Sequence, residues 1–193
     1  MKNQIVNLRG CNGSGKTHAV RHFIDRLPSQ PLGRAARPLG YHIDARAWGV
    51  MSPVYVVGSY ANACGGADGI STQEEIATRV VKAVAVGHVL VEGLLMSKSS
   101  AGGHVAPILK EHGAIFGFLD TPWDTCLERV FARRAAAGNT KPFDPEKTML
   151  SAYAQCRRSA ELLTLAGGYD VRWIDHTDAV GAVVGYLREA EKG

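Results

Sequence analysis

The chain has 193 residues, of which 46% are hydrophobic and 21% charged, with a formal net charge of +4. That is the length of one domain, enough to bury a core without disulfides or a structural metal, and the composition is too apolar for a disordered chain. The charge is uneven: residues 1–50 hold eight Lys/Arg against Asp25 and Asp44, while the rest holds 14 basic against 16 acidic residues, so the basic quarter fits a polyphosphate ligand, a nucleic acid, or both.

In chain order, Gln4–Leu8 predicts a short strand and Gly10–Thr17 a glycine-rich turn. Lys16–Leu27 predicts a helix with Val20, Phe23, Ile24 and Leu27 on one face, stopped by Pro28. Residues 28–40, rich in Pro, Gly and Arg, read as a loop. Strands are expected at Tyr41–Ala45 and Val54–Val57. After the glycine cluster at 63–71, Ser71 and Glu74 predict a capping box for a helix to about Val86, ended by Gly87. Val89–Glu92 reads as a buried strand, 97–104 as a small-residue segment, Val105–His112 as a helix and Ala114–Asp120 as a strand. Thr121 is expected to cap the next helix, with Pro122 at its first position, Asp124 completing the box and Gly138 closing it. A loop at 138–146, a long helix to about Ala166, a strand at Val171–Ile174 and a helix at Ala179–Glu191 finish the chain.

Strands alternate with helices, the pattern of an α/β fold with a mostly parallel sheet and helices on both faces, in one domain over residues 1–193. No apolar run reaches the roughly 18–20 residues of a membrane span, and the N-terminus has no apolar signal segment, so a cytoplasmic protein with no membrane partner is expected. Cys11, Cys64, Cys126 and Cys156 form no C-x-x-C pair and read as reduced thiols.

The strongest motif is GCNGSGKT, Gly10–Thr17, which matches G-x-x-x-x-G-K-[ST] between a strand and a helix. Its glycines let the backbone curl so that N–H groups face phosphate oxygens, and the following helix adds its positive end. Gly10, Asn12, Gly13, Ser14, Gly15, Lys16 and Thr17 are thus candidate ATP-binding residues. Lys16 supplies charge at the β- and γ-phosphates and the Thr17 hydroxyl suits Mg²⁺. Glu92, ending VLVEG, is placed for Mg²⁺ or its water, with a helix-capping carboxylate as the other reading. Asp68, in CGGADG, is the leading proton acceptor and Asp44 the second, with an Asx turn and a solvent-facing strand residue as their alternatives. Arg129, Arg133 and Arg134, before the Gly/Pro-bearing loop, suit a lid over ATP at about 129–146, and Arg157 and Arg158 are further candidates. Solvated helix faces are the competing reading for each arginine. His18 and His22 lack a third ligand and read as surface or packing residues.

With these residues assembled, the chain resembles a family of small P-loop kinases of tailed bacteriophages, the 5-hydroxymethyluracil DNA kinases. The likeness runs from about Ile5 to Asp175. It rests on NLRGCNGSGKT (7–17), VYVVGSYANACGGADGIS (54–71), GHVLVEGLLMS (87–97) and LDTPWDTCLERVFARRAAAG (119–138). The resemblance implies a nucleotide-kinase fold and transfer of the γ-phosphoryl group of ATP, with Mg²⁺, to the 5-hydroxymethyl group of that base in phage DNA, a step in thymine hypermodification. It implies Gly10–Thr17 as the ATP loop, Asp68 on the acceptor side, Glu92 as a Mg²⁺-side or acid–base residue, and Arg133 as a lid arginine, acting in the host cytoplasm. A base enveloped by a kinase pocket must be flipped out or single-stranded. Tyr41, Trp48, Tyr55 and Tyr60 are candidates to stack on it, and Arg34, Arg37 and Arg46 to contact the DNA backbone. The residues alone also accommodate a kinase of a free nucleotide, nucleoside or sugar-like alcohol, and a nucleotide-binding regulatory or packaging protein.

Overall fold

In the computed structural model, which describes residues 2–34, 36–61, 65–67, 70–93 and 105–193, the run Ile5–Arg9 (β1) is buried at every position. A strand buried on both faces belongs inside a sheet. It pairs in parallel with His88–Glu92 (β5) on one side and Ile115–Asp120 (β6) on the other. Val54–Val57 (β4) extends the parallel set beyond β5, and Asp170–Asp175 (β7) extends it beyond β6. The connecting helices are Lys16–Arg26 (α1), Gln73–Val84 (α2), Val105–Glu111 (α3), Trp123–Ala136 (α4) and Ser151–Ala166 (α5), with Ala179–Lys192 (α6) at the end. This is the α/β fold expected of the P-loop kinase type.

Residues 28–40 are not a loop. Ser29–Arg34 (β2) and Arg37–Ile43 (β3) form an antiparallel hairpin, and β3 pairs antiparallel with β4, giving the order β2-β3-β4-β5-β1-β6-β7. Proline and glycine are tolerated because β2 is the outermost strand, whose outer side needs no ladder partner. The register shifts between Leu32 and Gly33, where Gly33 adopts φ +83°.

Two helical caps also differ from expectation. The α2 cap is Thr72, whose hydroxyl oxygen accepts from the Glu75 N–H at 3.1 Å. The run STQEE contains the S/T-x-x-E spacing twice, and the later register starts the helix. Thr121 does not cap α4: its hydroxyl donates to the Ser14 carbonyl at 2.9 Å, and Pro122 occupies the cap position with no side-chain bond. The long helix expected after residue 146 begins with a wide π turn, Glu146–Leu150, ahead of α5.

One face of the sheet is covered by α1 and α6, with Val20, Phe23, Val183 and Leu187 against Leu8 and Leu90. The other is covered by α2, α3 and α5, with Ile76, Leu109 and Leu163 against Val91, Phe116 and Phe118. Burying a side chain such as Phe116 contributes about 1.5–3 kcal/mol. A third cluster of Cys11, Cys126, Val130 and Met149 fastens α4 to the segment after β1.

Arg9 ends β1 with its guanidinium fully buried, 4.7 Å from the Phe116 ring centre and 5.5 Å from that of Phe118, and donating to Asn7 Oδ1 at 2.6 Å. Burial pulls its pKa down to about 9. At the opposite, N-terminal end of the central strands, the Gln4 N–H donates to His88 Nδ1 at 2.9 Å, which leaves Nε2–H to donate to Glu191 Oε1 at 3.2 Å. Glu191 also accepts from the backbone N–H groups of Met51 and Ser52, tying α6 to the base of β4 and β5.

Candidate active site

The Gly10–Thr17 loop crosses the C-terminal end of β1. There the connections part, β4 and β5 lying to one side and β6 and β7 to the other. Such a switch point opens a crevice at the strand ends. The loop is gripped from α4. Gly13 sits at φ +81°, and a Cβ there would meet the Cys126 carbonyl oxygen at 2.2 Å, so only glycine fits. Arg129 donates to the Gly13 and Ser14 carbonyls, both at 3.3 Å, beside the Thr121 bond to Ser14. With those carbonyls held, the N–H groups of Gly13, Gly15, Lys16 and Thr17 have no acceptor among the described residues, the state of a helix start ready for an anion.

Lys16 folds over its own loop, donating to the carbonyls of Gly10 at 2.8 Å and Cys11 at 3.0 Å. The Thr17 hydroxyl donates to Glu92 Oε1 at 2.8 Å, and Glu92 is buried. The glycine-rich segment after β4 folds back on this pair: Ser59 and Gly66 form a bridge, and a Cβ on Gly66 (φ +112°) would lie 2.9 Å from Glu92 Oε1. A hollow of about 320 Å³ collects the loop residues Asn12 to Thr17 with Gly65, Glu92, Arg129 and Arg133. It adjoins a second hollow of about 540 Å³ through Gly15, His18 and Arg129.

The structure therefore brings Lys16, Thr17, Glu92, Arg129 and Arg133 to one place. Arg134 points elsewhere: its guanidinium lies 4.6 Å from the Phe143 ring centre, donates to the Lys141 carbonyl, and lines a smaller hollow with Asn12. Arg157 bonds Asp120 at 3.1 Å, and Arg158 is exposed. Asp68 lies outside the described residues. Asp44 follows β3 at the N-terminal end of the parallel strands, away from the phosphate loop, where Arg46 holds its carboxyl down at about 2. Of the four aromatic candidates, Trp48 packs edge-on to Phe23 and stacks on His22, Tyr60 is buried against Tyr41, and Tyr55 meets His42.

Two features of the site carry little signal in the sequence. The second hollow is walled by His18, His22, His176 and Thr177, and the turn D-H-T-D after the last strand was the only signal for it. The Thr177 N–H and hydroxyl both bond Asp175 Oδ1, at 2.8 and 2.7 Å, which fixes that turn. The second feature is a thiol pair, Cys11 Sγ and Cys126 Sγ, 3.3 Å apart beneath the loop. The Cys126 hydrogen bond, with Lys16 nearby, holds the Cys11 thiol below its ordinary value against the opposing effect of burial, and pushes Cys126 up. Burial pushes Cys156, on α5, up to about 11.

No family model matches the chain. Curated relatives do. It is 32% identical to the 5-hmdU DNA kinase of Pseudomonas phage PaMx11 over 170 residues, 86% of this chain and 88% of that protein. It is 33% identical over 155 residues to the 5-hmdU DNA kinase of Pseudomonas phage M6, covering 67% of this chain and 72% of the relative. The 5-hmdU DNA kinase of Delftia phage PhiW-14 is 26% identical over 161 residues, 74% of this chain and 57% of its own length. On this similarity along most of both chains, and with a phosphate loop, a buried carboxylate and arginines gathered at one crevice, the protein belongs to the phage 5-hmdU DNA kinase family.

Proposed function

We propose that this protein transfers the γ-phosphoryl group of ATP to the 5-hydroxymethyl group of 5-hydroxymethyluracil in DNA, in the host cytoplasm, as a step in hypermodification of the base. The observation that carries the reading is the hydrogen bond from Thr17 to Glu92 beneath a phosphate loop whose Gly13, Gly15, Lys16 and Thr17 N–H groups have no acceptor among the described residues, in a chain of this family. The hydroxymethyl oxygen attacks the γ-phosphorus in line. The new O–P bond forms as the bond to the β,γ-bridging oxygen breaks, and the hydroxymethyl proton passes to a carboxylate. Glu92 is the described carboxylate at that place, and Asp68 is the other candidate on the acceptor side.

The loop N–H groups and Lys16 bind the phosphates, with Lys16 leaving its carbonyl partners for phosphate oxygens. Arg133 meets the transferring phosphoryl group, and Arg129 steadies the loop. The two hard oxygens of Thr17 and Glu92, 2.8 Å apart, suit Mg²⁺, which when bound neutralises charge on the β- and γ-phosphates. The hollow between α1 and the 175–178 turn receives the nucleotide's base and ribose. Residues 129–146 act as the lid of a single kinase domain. The acceptor base enters flipped out or single-stranded, since a kinase pocket must envelop the group that it phosphorylates.

The test offers γ-labelled ATP with three acceptors: DNA containing 5-hydroxymethyluracil, the same DNA with thymine, and free 5-hydroxymethyl-deoxyuridine. Label in the modified DNA alone is the expected result. Label in the nucleoside alone would assign the site to a small alcohol instead.

A further inference from the structure

The catalytic reading leaves the β2–β3 hairpin without a task. Gly40 pairs with Val57 and Ile43 with Val54, so β3 runs opposite to β4. Its first three residues, 37–39, therefore extend past the C-terminal end of β4, by about 10 Å at 3.3–3.4 Å per residue. The Gly58 N–H still bonds the Leu39 carbonyl at 3.2 Å, so this extension is anchored. The C-terminal ends of the parallel strands carry the phosphate loop and Glu92. The hairpin thus rises on the active-site side of the sheet, two strand spacings (roughly 10 Å) from the strand that bears Glu92.

Its chemistry is one-sided. Between Asp25 and Asp44 the chain has no acidic residue and three arginines, Arg26, Arg34 and Arg37. Arg34 and Arg37 face each other across the turn in the backbone register, at the tip. Residues 31–34 are exposed, and Arg34 bonds no carboxylate among the described residues. By contrast, other arginines of the basic quarter are committed: Arg9 is buried, Arg21 donates to the Tyr60 carbonyl, and Arg46 pairs with Asp44 at the far end of the sheet. The open edge of β2 carries Pro31, which blunts strand addition by another protein or a second copy. A narrow two-stranded ribbon with a cationic tip beside the acceptor crevice has the shape and charge to grip a phosphate backbone.

We propose that the tip of the β2–β3 hairpin holds the DNA backbone beside the target base, so that its arginines set DNA affinity and separate polymerised substrate from free nucleoside. This rests on the DNA kinase reading above. Arg34 and Arg37 displace counterions from phosphates, and each such contact adds about 0.9 to the slope of log affinity against log salt on duplex DNA.

The test compares wild type, Arg34→Ala/Arg37→Ala and a control, Lys2→Ala/Lys192→Ala. The control removes two exposed charges at the opposite end of the sheet. The readouts are KM for 5-hydroxymethyluracil DNA at several salt concentrations, melting temperature, and elution volume on gel filtration. The expected result is a KM about tenfold higher for the hairpin variant, with the salt slope flattened by about 2, while the control tracks wild type. Wild-type phosphorylation of the DNA with an unchanged KM and slope in the hairpin variant overturns the hairpin's role and leaves the kinase reading intact. Equal effects in both double variants also overturn it, because net charge and not position would then act. So does a changed elution volume with unchanged DNA KM, which would make the hairpin a protein contact. Absence of wild-type activity on DNA takes down both readings together.

Discussion

Thr17 on the first turn of α1 donates its hydroxyl hydrogen to Glu92 Oε1 at the end of β5, over 2.8 Å, and Gly66 closes against the same carboxylate. Two residues 75 positions apart in sequence therefore share one contact point under the phosphate loop. In Glu92→Gln an amide oxygen can still accept from Thr17, but the negative charge is gone. The expected outcome is a fall in kcat of about 10²–10³, with a higher Mg²⁺ concentration needed for half-maximal rate and little change in melting temperature. A loss below about fivefold in a magnesium titration would remove Glu92 from the chemistry.

Arg133 and Arg134 are neighbours with different surroundings, one facing the loop hollow and the other lying on Phe143. Arg133→Ala is expected to lower kcat by about 10²-fold or more with the fold intact. Arg134→Ala is expected to cost about 0.5–1 kcal/mol of stability in the segment after α4, through the lost ring contact, and to change kcat much less. Steady-state kinetics beside hydrogen exchange of residues 134–149 separates the two. The same loss of kcat in both variants would contradict the assignment.

Gly13→Ala puts a methyl group into the Cys126 carbonyl and imposes φ +81° on an L-residue. Either α4 or the phosphate loop must shift. A strained backbone position costs about 1–3 kcal/mol, so the melting temperature should fall by roughly 2–12 °C for a chain of this length. Nucleotide affinity should fall with it, read by a fluorescent ATP analogue. Unchanged melting and binding would mean that the loop and α4 are not in the contact described.

His88 and Glu191 make stability depend on pH. Burial lowers the His88 pKa below its ordinary 6.5, against the opposing pull of Glu191. Burial raises the Glu191 carboxyl, but the Met51 and Ser52 N–H groups and His88 outweigh it, and its pKa is also lowered. Both folded values lie below the unfolded ones, so the unfolded chain binds more protons and stability rises with pH. The His88 contribution is complete above about pH 6.5 and is lost as pH falls through its depressed value; that of Glu191 is lost at lower pH. Melting temperature should therefore drop on acidification from pH 8 to 5. His88→Phe should be less stable at pH 8, by about 1–3 kcal/mol for the unsatisfied Gln4 N–H and Glu191, and show a flatter pH profile between 5 and 7. A profile as steep as that of wild type would place the proton uptake elsewhere.

Much of this architecture was readable because the relevant signals are local. GCNGSGKT needs only a strand before it and a helix after it, and the alternation of apolar runs with helical faces fixed the parallel core. What escaped was tertiary. PSQPLGRAARPLG has the composition of a loop, and only its position at the open edge of the sheet lets two prolines sit in strands. Thr121 has the sequence signature of a cap, yet its hydroxyl bonds Ser14, 107 residues away. Arg134 reads like Arg133 in sequence, and only the angle of α4 and the place of Phe143 part them. The 175–178 turn carries no motif and borders the crevice because β7 lies next to β6.

If the crevice phosphorylates a base within a DNA strand, the modified base itself carries the product. The most direct measurement is mass spectrometry of the nucleosides released from 5-hydroxymethyluracil DNA after incubation with ATP and Mg²⁺, for wild type and Lys16→Ala. Phosphate on the 5-hydroxymethyl oxygen is expected with wild type, and a yield lower by at least about 10²-fold with Lys16→Ala. An unphosphorylated base with the wild-type protein, or the same yield from Lys16→Ala, would contradict phosphorylation of the DNA base by this crevice.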